Sequence, residues 1–167
     1  NPAAHESTAC EIWRDCAGAI DCLIIGIGSG GTLTGCARFL KRHRPELQVI
    51  GVEPSTCAVV AGEAPARHGI IGLGPGFVPE VLDLSLIDEI VKVQDTLAVE
   101  VARLAVRLEN IAGGLSTGAN LAAALTIAAR PEMQGRRIVT LAPSSAERYG
   151  ASTLFDPIDE TDLGRRT

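Results

Sequence analysis

The sequence predicts one α/β domain in which helices cover both faces of a mostly parallel sheet, a three-layer α-β-α arrangement. Aromatic residues make up only 3% of the 167 residues and apolar residues 46%, so the core must be built from Ala, Val, Leu and Ile. Short, continuous apolar runs are typical of strands that are covered on both faces. Residues 23–52 show a strand, a helix and a second strand, the pattern of a right-handed parallel crossover.

The first half of the chain predicts two helix–strand pairs and then a long loop. The helix before Pro45 must end there, because the residue ahead of a proline disfavours the helical conformation. Ile12 and Trp13 of the first helix face inward. Residues 55–76 are rich in Gly, Pro and Ala and predict a functional loop. The predicted elements are helices over residues 6–15 and 32–43 and strands over residues 23–27 and 47–52.

The second half predicts two more strands and two more helices. Asp95 is expected to cap one helix, and Asn110 to end it in the left-handed conformation. The hydroxyls of Ser116 and Thr117 could cap the Ala-rich helix that follows or contact a ligand, and capping is favoured. The predicted elements are strands over residues 89–93 and 137–142, a helix over residues 96–109 and a helix that ends at Ala129.

A glycine-rich turn joins the first predicted strand to the next helix. Its glycines are expected to remove every Cβ that would keep an anion away from the backbone. The first N–H groups of the helix have no intrahelical partner and carry the positive end of the helix dipole. This arrangement predicts a phosphate site. The glycines are Gly26, Gly28, Gly30 and Gly31.

Two other interpretations of this turn stay open. The spacing Gly26-x-Gly28-x-x-Gly31 also matches a dinucleotide fingerprint. Glu53, at the end of the next strand, lies where a carboxylate that binds the ribose of NAD would stand. The other interpretation is a tight structural bend without a ligand, which is less favoured because four glycines in six residues are more than a turn requires.

Hydroxyl side chains follow the ends of several elements. Ser144 comes directly after the last strand, and ligands of parallel sheets lie beyond the carboxyl ends of the strands. Together with Thr32 and Ser116, it predicts a single crevice. A serine hydroxyl can bond a ring nitrogen without forcing that nitrogen to be protonated. The glycine-rich residues 70–79 would allow a close backbone approach to a ligand, with Phe77 as a wall.

Charge and cysteine content narrow the class of protein. The net charge is −5, and the one short basic cluster, residues 41–44, gives nucleic-acid binding little support. The five cysteines contain no C-x-x-C pair, so neither a metal site nor a disulfide framework is expected. Reduced thiols, the lack of a signal peptide and the lack of a membrane-length apolar run predict a cytoplasmic protein.

Five motifs, which contain the glycine turn from Gly28, Glu53, Gly72, Ser116 and Ser144, occur in a fixed order along the chain. Together they resemble one family, the cysteine synthases (O-acetylserine sulfhydrylases), which are fold type II enzymes dependent on pyridoxal 5'-phosphate (PLP). The resemblance covers residues 1–155 and implies the large, PLP-binding domain of the tryptophan synthase β-like fold, with the N-terminal half absent. Residues 156–167 are polar and are expected to form a disordered tail. The motifs, in family order, are Gly28-Ser-Gly-Gly-Thr32, Val52-Glu-Pro54, Gly72-Leu-Gly-Pro-Gly-Phe-Val-Pro-Glu-Val-Leu-Asp83, Leu115-Ser-Thr-Gly-Ala119 and Pro143-Ser-Ser-Ala-Glu-Arg-Tyr149.

The resemblance implies a role for each matching residue. Ser144 matches the serine that bonds the pyridine nitrogen, and Gly72 matches a backbone position near the substrate amine, with Phe77 in the same vicinity. The implied reaction makes cysteine from O-acetylserine and sulfide, and the implied assembly is a homodimer with serine acetyltransferase as a partner. The residues implied to hold the cofactor phosphate are Gly28, Ser29, Gly30, Gly31 and Thr32.

Some features depart from the family. Its Schiff-base lysine lies upstream of the matched part, and the two lysines here, Lys41 and Lys92, match surface positions, so no catalytic residue is expected in this chain. Ile71 stands where the family usually has Gln, and Pro75 and Ala146 replace a usual Ala and Gly. Cystathionine β-synthase-like and β-cyanoalanine synthase-like activities remain alternatives, as does a truncated, non-catalytic domain. An exposed sheet edge would favour self-association.

Overall fold

The structure is a computed structural model that describes residues 1–145. It contains four helices, four strands and three short 3₁₀ turns in this part of the chain. The helices are α1 (Glu6–Asp15), α2 (Gly31–His43), α3 (Asp95–Glu109) and α4 (Leu115–Ala128). The strands are β1 (Cys22–Gly26), β2 (Gln48–Pro54), β3 (Glu89–Val93) and β4 (Ile138–Thr140). The 3₁₀ turns are Pro2–His5, Leu84–Leu86 and Pro131–Met133.

The four strands form one parallel sheet in the order β3-β2-β1-β4. β1 is central, and its residue Ile24 is in register with Ile50 of β2 and Thr140 of β4. The predicted parallel α/β fold is therefore confirmed. Because all strands run the same way, their carboxyl ends meet at one edge of the sheet, where the loops that follow them can build a site.

Helices cover both faces of this sheet, as predicted. Successive side chains of a strand point to opposite faces. Leu23 and Ile25 of β1 accordingly belong to the core beneath α1 and α2. Ile24, between them, belongs to the core beneath α3 and α4. The run of apolar residues in β1 is buried because both of its faces are covered.

Most predicted elements appear with ends shifted by one or two residues. β3 and α1 match their predicted bounds. The left-handed Asn110 at the end of α3 is confirmed, with φ 55°. β4 is shorter than predicted because the chain leaves the sheet after Thr140, where the carbonyl of Leu141 accepts a hydrogen bond from Asn120 of α4.

The predicted cap of α3 is wrong. Gln94 holds the cap position and makes no side-chain cap bond, while Asp95 is the first residue of the helix. Oδ2 of Asp95 instead accepts a hydrogen bond from the N–H of Gly69. The carboxylate thus ties the start of α3 to the long loop after β2, which is a tertiary contact that local sequence does not show.

The long loop is longer than predicted, since no helix or strand interrupts the described chain between Pro54 and Leu84. No helix within residues 1–145 is long and apolar enough to cross a membrane. The expected tail over residues 156–167, and the Ala146 substitution, lie outside the described residues.

Candidate functional site

A pocket of about 630 Å³ opens beyond the carboxyl ends of β1 and β4. Three segments line it: the glycine turn with the start of α2, residues 71–73 of the long loop, and the turn after β4 with the facing first turns of α4. The predicted single crevice is confirmed, because Thr32, Ser116 and Ser144 all line this pocket. Its position follows from the parallel sheet, whose strands direct their following loops to this edge.

The start of α2 provides one polar wall of the pocket. Gly30 holds the cap position with φ 82°, a left-handed conformation that favours glycine, and offers no side chain to cap the helix. The first N–H groups of α2 therefore have no intrahelical or cap partner and face the pocket end with the positive end of the dipole. The predicted order of strand, glycine turn and helix N-terminus is observed.

The glycines of the turn serve a different purpose from the one expected. A Cβ at Gly28 would overlap the carbonyl oxygen of Gly72, and a Cβ at Gly30 would lie 2.8 Å from Cβ of Leu82. At Gly31 the nearest atom would be 3.4 Å away. A Cβ at Gly26 would likewise lie 2.6 Å from Cδ2 of Leu73. Three of the four glycines are thus required so that other segments of the protein can approach the turn, and the interpretation that all of them clear space for an anion is corrected.

The start of the chain also reaches the turn. Oγ1 of Thr32, which lines the pocket, lies 3.4 Å from Nε2 of His5. His5 ends the 3₁₀ turn Pro2–His5, and the carbonyl of Pro2 lies against Gly35, where a Cβ would overlap it. Sequence reasoning missed His5, because only the packing of this turn on α2 brings the imidazole to the pocket wall.

Three hydroxyl groups meet where α4 faces the turn after β4. Oγ of Ser116 lies 2.7 Å from Oγ of Ser144. Oγ1 of Thr117 donates a hydrogen bond to the carbonyl of Ser144 at 3.1 Å and lies 3.3 Å from its Oγ. α4 begins at Leu115 without a side-chain cap, so the predicted capping role of Ser116 and Thr117 is wrong. Both hydroxyls point across to Ser144 because they lie within the helix, not ahead of it.

Asn120 is a pocket residue that sequence reasoning missed. It lies one turn after Ser116 on α4 and is only 1% exposed. Its Nδ2 donates to the carbonyl of Leu141 at 2.9 Å, which fixes the orientation of the amide. Its Oδ1 is buried and has no partner among residues 1–145. A lone Asn within an Ala-rich helix was the available signal, since a polar side chain on a buried helix face needs a partner.

The loop over residues 70–79 approaches the pocket only with its first part. Gly72, with φ 93°, lines the pocket and packs its carbonyl against Gly28. Ile71 also lines it, although 67% of this side chain is exposed. Phe77 is 61% exposed and is not among the pocket-lining residues, so its expected packing as a wall is wrong. Left-handed turns at Gly74 and Gly76 carry the chain away before Phe77 is reached.

Glu53 does not face a ligand. It is 1% exposed, and its two carboxylate oxygens accept hydrogen bonds from the N–H groups of Val60 and Ala61, at 3.1 and 3.0 Å. These two hydrogen bonds to its carboxylate anchor the long loop to the end of β2. The alternative of an NAD-binding domain, in which Glu53 would bind a ribose, is corrected on this ground.

The two lysines and the two deeply buried thiols lie outside the pocket. Lys41 pairs with Asp88 at 2.8 Å, and Lys92 pairs with Glu63 at 2.5 Å, so neither amine reaches the crevice. Burial raises the pKa of the Cys36 thiol to about 11 and is also the main reason why the pKa of the Cys22 thiol rises to about 11. Both thiols therefore stay protonated and act as core residues.

Comparison with known proteins defines the class. Residues 1–144 match the family described as pyridoxal-phosphate dependent enzyme. The chain therefore belongs to the pyridoxal-phosphate dependent enzyme family, whose cofactor is PLP, and the resemblance stated from the motifs is confirmed at this level.

Particular relatives narrow this class. The chain is 42% identical over 159 residues to cysteine synthase 3 of Caenorhabditis elegans, covering 95% of this chain and 47% of that protein. It is 42% identical to cysteine synthase A of Salmonella typhi, covering 98% of this chain and 54% of that protein. It is also 41% identical to O-ureido-L-serine synthase of Streptomyces lavendulae, covering 96% of this chain and 50% of that protein.

Solved structures agree with these relatives. The crystal structure of cysteine synthase from Entamoeba histolytica superposes with a TM-score of 0.92 at 39% identity, covering 95% of this chain and 47% of that one. The fold of a type II PLP enzyme is thereby confirmed. The chain spans about half the length of the proteins that it matches.

The pocket fits the cofactor of this family. The uncapped start of α2 suits a phosphate dianion, because helix N-termini favour negative charge. The unpartnered Oδ1 of Asn120 at the pocket floor suits a bound group that carries a hydrogen-bond donor. The half-buried hydroxyl of Ser144 lines the same pocket.

Proposed function

We propose that this chain is the cofactor-holding part of a cysteine synthase-like enzyme, which makes cysteine and acetate from O-acetylserine and sulfide. One observation carries the proposal: a single pocket brings together the glycine turn at the start of α2 and Ser144 after β4. The similarity to cysteine synthases at 42% identity over nearly the whole chain supports it.

In this proposal the start of α2 holds the phosphate of PLP. The N–H groups from Gly28 to Thr32 supply donors in the positive field of the helix, and the Ser29 and Thr32 hydroxyls add side-chain donors. Ser29 and Thr32 line the pocket. Gly31 contributes its N–H without crowding, since its surroundings leave room. No charged side chain is needed, because the helix provides the positive potential.

Ser144 would hold the ring of the cofactor through its nitrogen. A neutral hydroxyl leaves the ring less electron-withdrawing than a carboxylate would, which favours replacement at the β-carbon of the substrate. When bound, PLP withdraws electrons from the amino acid so that acetate leaves its β-carbon and sulfide bonds there. Gly72 would present its backbone to the substrate amine, with Phe77 farther out along the same loop.

The remaining parts of the proposal concern the whole enzyme. The Schiff-base lysine would come from the half of the relatives that this chain does not match. The enzyme would be a homodimer in the cytoplasm and a possible partner of serine acetyltransferase. Support for these points is the resemblance to the family alone.

Cofactor binding tests the proposal directly. The chain is titrated with PLP and, separately, with pyridoxal, which lacks the phosphate, and binding is followed by tryptophan or cofactor fluorescence. We expect PLP to bind at least tenfold more tightly, since several charge-assisted hydrogen bonds depend on the phosphate. Ser29→Ala should weaken PLP but not pyridoxal, while the exposed Ser7→Ala should change neither.

Equal affinities for PLP and pyridoxal would contradict the proposed phosphate site. No binding of either molecule would favour the alternative of a non-catalytic domain. Inorganic phosphate should compete with PLP for the same site, and failure to compete would also count against the proposal.

O-Ureido-L-serine synthesis is a second candidate, favoured by the 41% identity to the Streptomyces lavendulae protein and by a TM-score of 0.88 to the crystal structure of an O-ureido-L-serine synthase. The two candidate activities differ in the nucleophile that replaces acetate, so an assay with several nucleophiles distinguishes them. The chain, complemented with the lysine-bearing part of a relative, would be offered sulfide and hydroxyurea together with O-acetylserine, and the products separated by mass. Homocysteine and cyanide test the cystathionine β-synthase-like and β-cyanoalanine synthase-like alternatives in the same assay.

A further inference from the structure

The direction of one hydrogen bond decides what Ser144 can offer a ligand. We propose that Ser116 is a positioning residue: it donates its hydroxyl proton to Oγ of Ser144, so that the proton of Ser144 points into the pocket and meets a ring nitrogen that is not protonated. This inference rests on the proposed function, because the ring nitrogen is that of PLP. The two oxygens are 2.7 Å apart, the usual distance for a hydroxyl–hydroxyl bond.

Burial determines which hydroxyl of this pair donates and which accepts. Ser116 is 4% exposed, and within residues 1–145 the acceptor that it reaches is Oγ of Ser144. A buried hydroxyl that fails to donate loses a hydrogen bond that it had in water. Ser144 is only half-buried and lines the pocket, so its own proton has another direction available. The lowest-energy arrangement is therefore donation from Ser116 to Ser144.

Thr117 does not compete for the proton of Ser144. Its hydroxyl proton is used on the carbonyl of Ser144, at 3.1 Å. It cannot also donate to Oγ of Ser144, and it can accept from that oxygen only across 3.3 Å, a long distance for two hydroxyls. Oγ of Ser144 thus receives one proton from Ser116, and its own proton is left for the pocket.

The consequence is a preference for one protonation state of the ligand. A hydroxyl that already accepts one hydrogen bond becomes a better donor, because bonds in a chain polarise one another. Ser144 then favours a ring nitrogen that presents a lone pair. A protonated ring nitrogen would instead meet a donor, and would require the two serines to reverse their bond.

Nitrogen-15 NMR of PLP labelled at the ring nitrogen tests this inference without an activity assay. The chemical shift of the bound cofactor is followed against pH to give the midpoint of ring protonation. In Ser116→Ala the oxygen of Ser144 is free to accept from a ring N–H, so the midpoint should rise. We expect about a fivefold gain in proton affinity, about 0.7 pH unit, the size of one neutral hydrogen bond.

Two further variants and one control complete the test. Ser116→Cys keeps the shape of the side chain but is a weak donor, and should move the midpoint in the same direction even if the alanine variant folds poorly. Ser116→Thr keeps the hydroxyl and should restore the midpoint. Thr126→Ala removes a hydroxyl from the same helix that bonds the carbonyl of Ala122 away from the pocket, and should leave the midpoint unchanged.

The outcomes separate the two claims. If the unchanged chain binds labelled PLP but the alanine and cysteine variants show the same or a lower midpoint, the role of Ser116 is overturned and the proposed function stands. If the unchanged chain shows no bound PLP, the proposed function fails and this inference fails with it.

Discussion

The amino end of the sheet satisfies its polar groups, whereas the pocket at the carboxyl end leaves some of its polar groups without partners. At the amino end, Asp21 accepts from Arg44 at 2.8 Å, from the N–H of Arg137 at 2.8 Å and from Arg136 at 3.5 Å. At the carboxyl end, α2 starts without a side-chain cap and Oδ1 of Asn120 has no partner among residues 1–145. Satisfied polar groups stabilise a fold, whereas unsatisfied groups that converge on a pocket suit a ligand.

The hydrogen bonds of Asp21 also explain how the connections at the amino end of the sheet are held together. Asp21 immediately precedes β1, Arg44 follows α2, and Arg137 precedes β4, so one carboxylate joins three connections. At the carboxyl end, Glu53 and Asp95 tie down the long loop, whereas the pocket itself is closed by backbone approach, where the carbonyl of Gly72 lies against Gly28. Variants at each end should therefore separate stability from cofactor binding.

The largest effect is expected from Gly28→Ala. The new methyl group would overlap the carbonyl of Gly72 and force the glycine turn and the loop apart. We expect a loss of about 1–3 kcal/mol in the free energy of unfolding, the usual cost of overpacking, together with loss of PLP binding. Urea unfolding and a fluorescence titration measure the two effects.

Gly31→Ala is the matched control for this change. Its Cβ would have 3.4 Å to the nearest atom, and alanine is a better helix former than glycine. The free energy of unfolding should stay the same or rise slightly. Equal destabilisation by both substitutions would show that glycine is required throughout the turn for a reason other than the approach of Gly72.

Asp21→Asn should give the next largest effect, and at the opposite end. It weakens charge-assisted hydrogen bonds to two connections, so we expect a loss of about 1–3 kcal/mol in the free energy of unfolding at neutral pH. PLP affinity should remain unchanged, because Asp21 lies at the other edge of the sheet. A parallel loss of PLP affinity in a folded variant would contradict the separation of the two ends.

The same carboxylate predicts a dependence on pH. The hydrogen bond from the N–H of Arg137, and then the charges of Arg44 and Arg136, lower the pKa of Asp21 below its ordinary value. A lowered pKa in the folded state gives stability that is complete above the unfolded pKa and is lost as pH falls through the folded pKa. The stability difference between the unchanged chain and Asp21→Asn should therefore shrink in acid, as measured by urea midpoints from pH 7 to pH 3. A constant difference over that range would assign the effect to packing.

Asn120→Ala is expected to have the smallest effect on stability. The variant leaves the carbonyl of Leu141 without its donor but also removes an unpartnered oxygen, so the two changes oppose each other. We expect a change of about 1 kcal/mol or less. A thermal melt checks this, and a loss above about 3 kcal/mol would mean that the amide oxygen has a partner, such as a water molecule, in the folded chain.

The local sequence predicted the helices, strands and turns better than it predicted the contacts between them. The apolar run of β1, the glycines after it and the start of α2 are adjacent in the chain, so their order and conformation follow from local rules. Ser144 was found because the residue after a parallel strand faces the same edge as the turn after β1. These predictions needed no knowledge of how distant segments pack.

The predictions that were wrong share a physical cause. Glu53 was placed where a dinucleotide-binding carboxylate would lie, but the long loop folds back and offers it two N–H groups. The local pattern predicts Ser116 as a cap, but α4 begins one residue earlier and the hydroxyl turns to Ser144. Such partners are far away in sequence, so no local pattern identifies them.

A crystal structure of the chain with PLP tests the central claim most directly. The account predicts density for the phosphate at the start of α2, within hydrogen-bond distance of N–H groups between Gly28 and Thr32, and the ring nitrogen beside Ser144. PLP bound elsewhere, or a pocket filled by the protein's own side chains at saturating PLP, would contradict it.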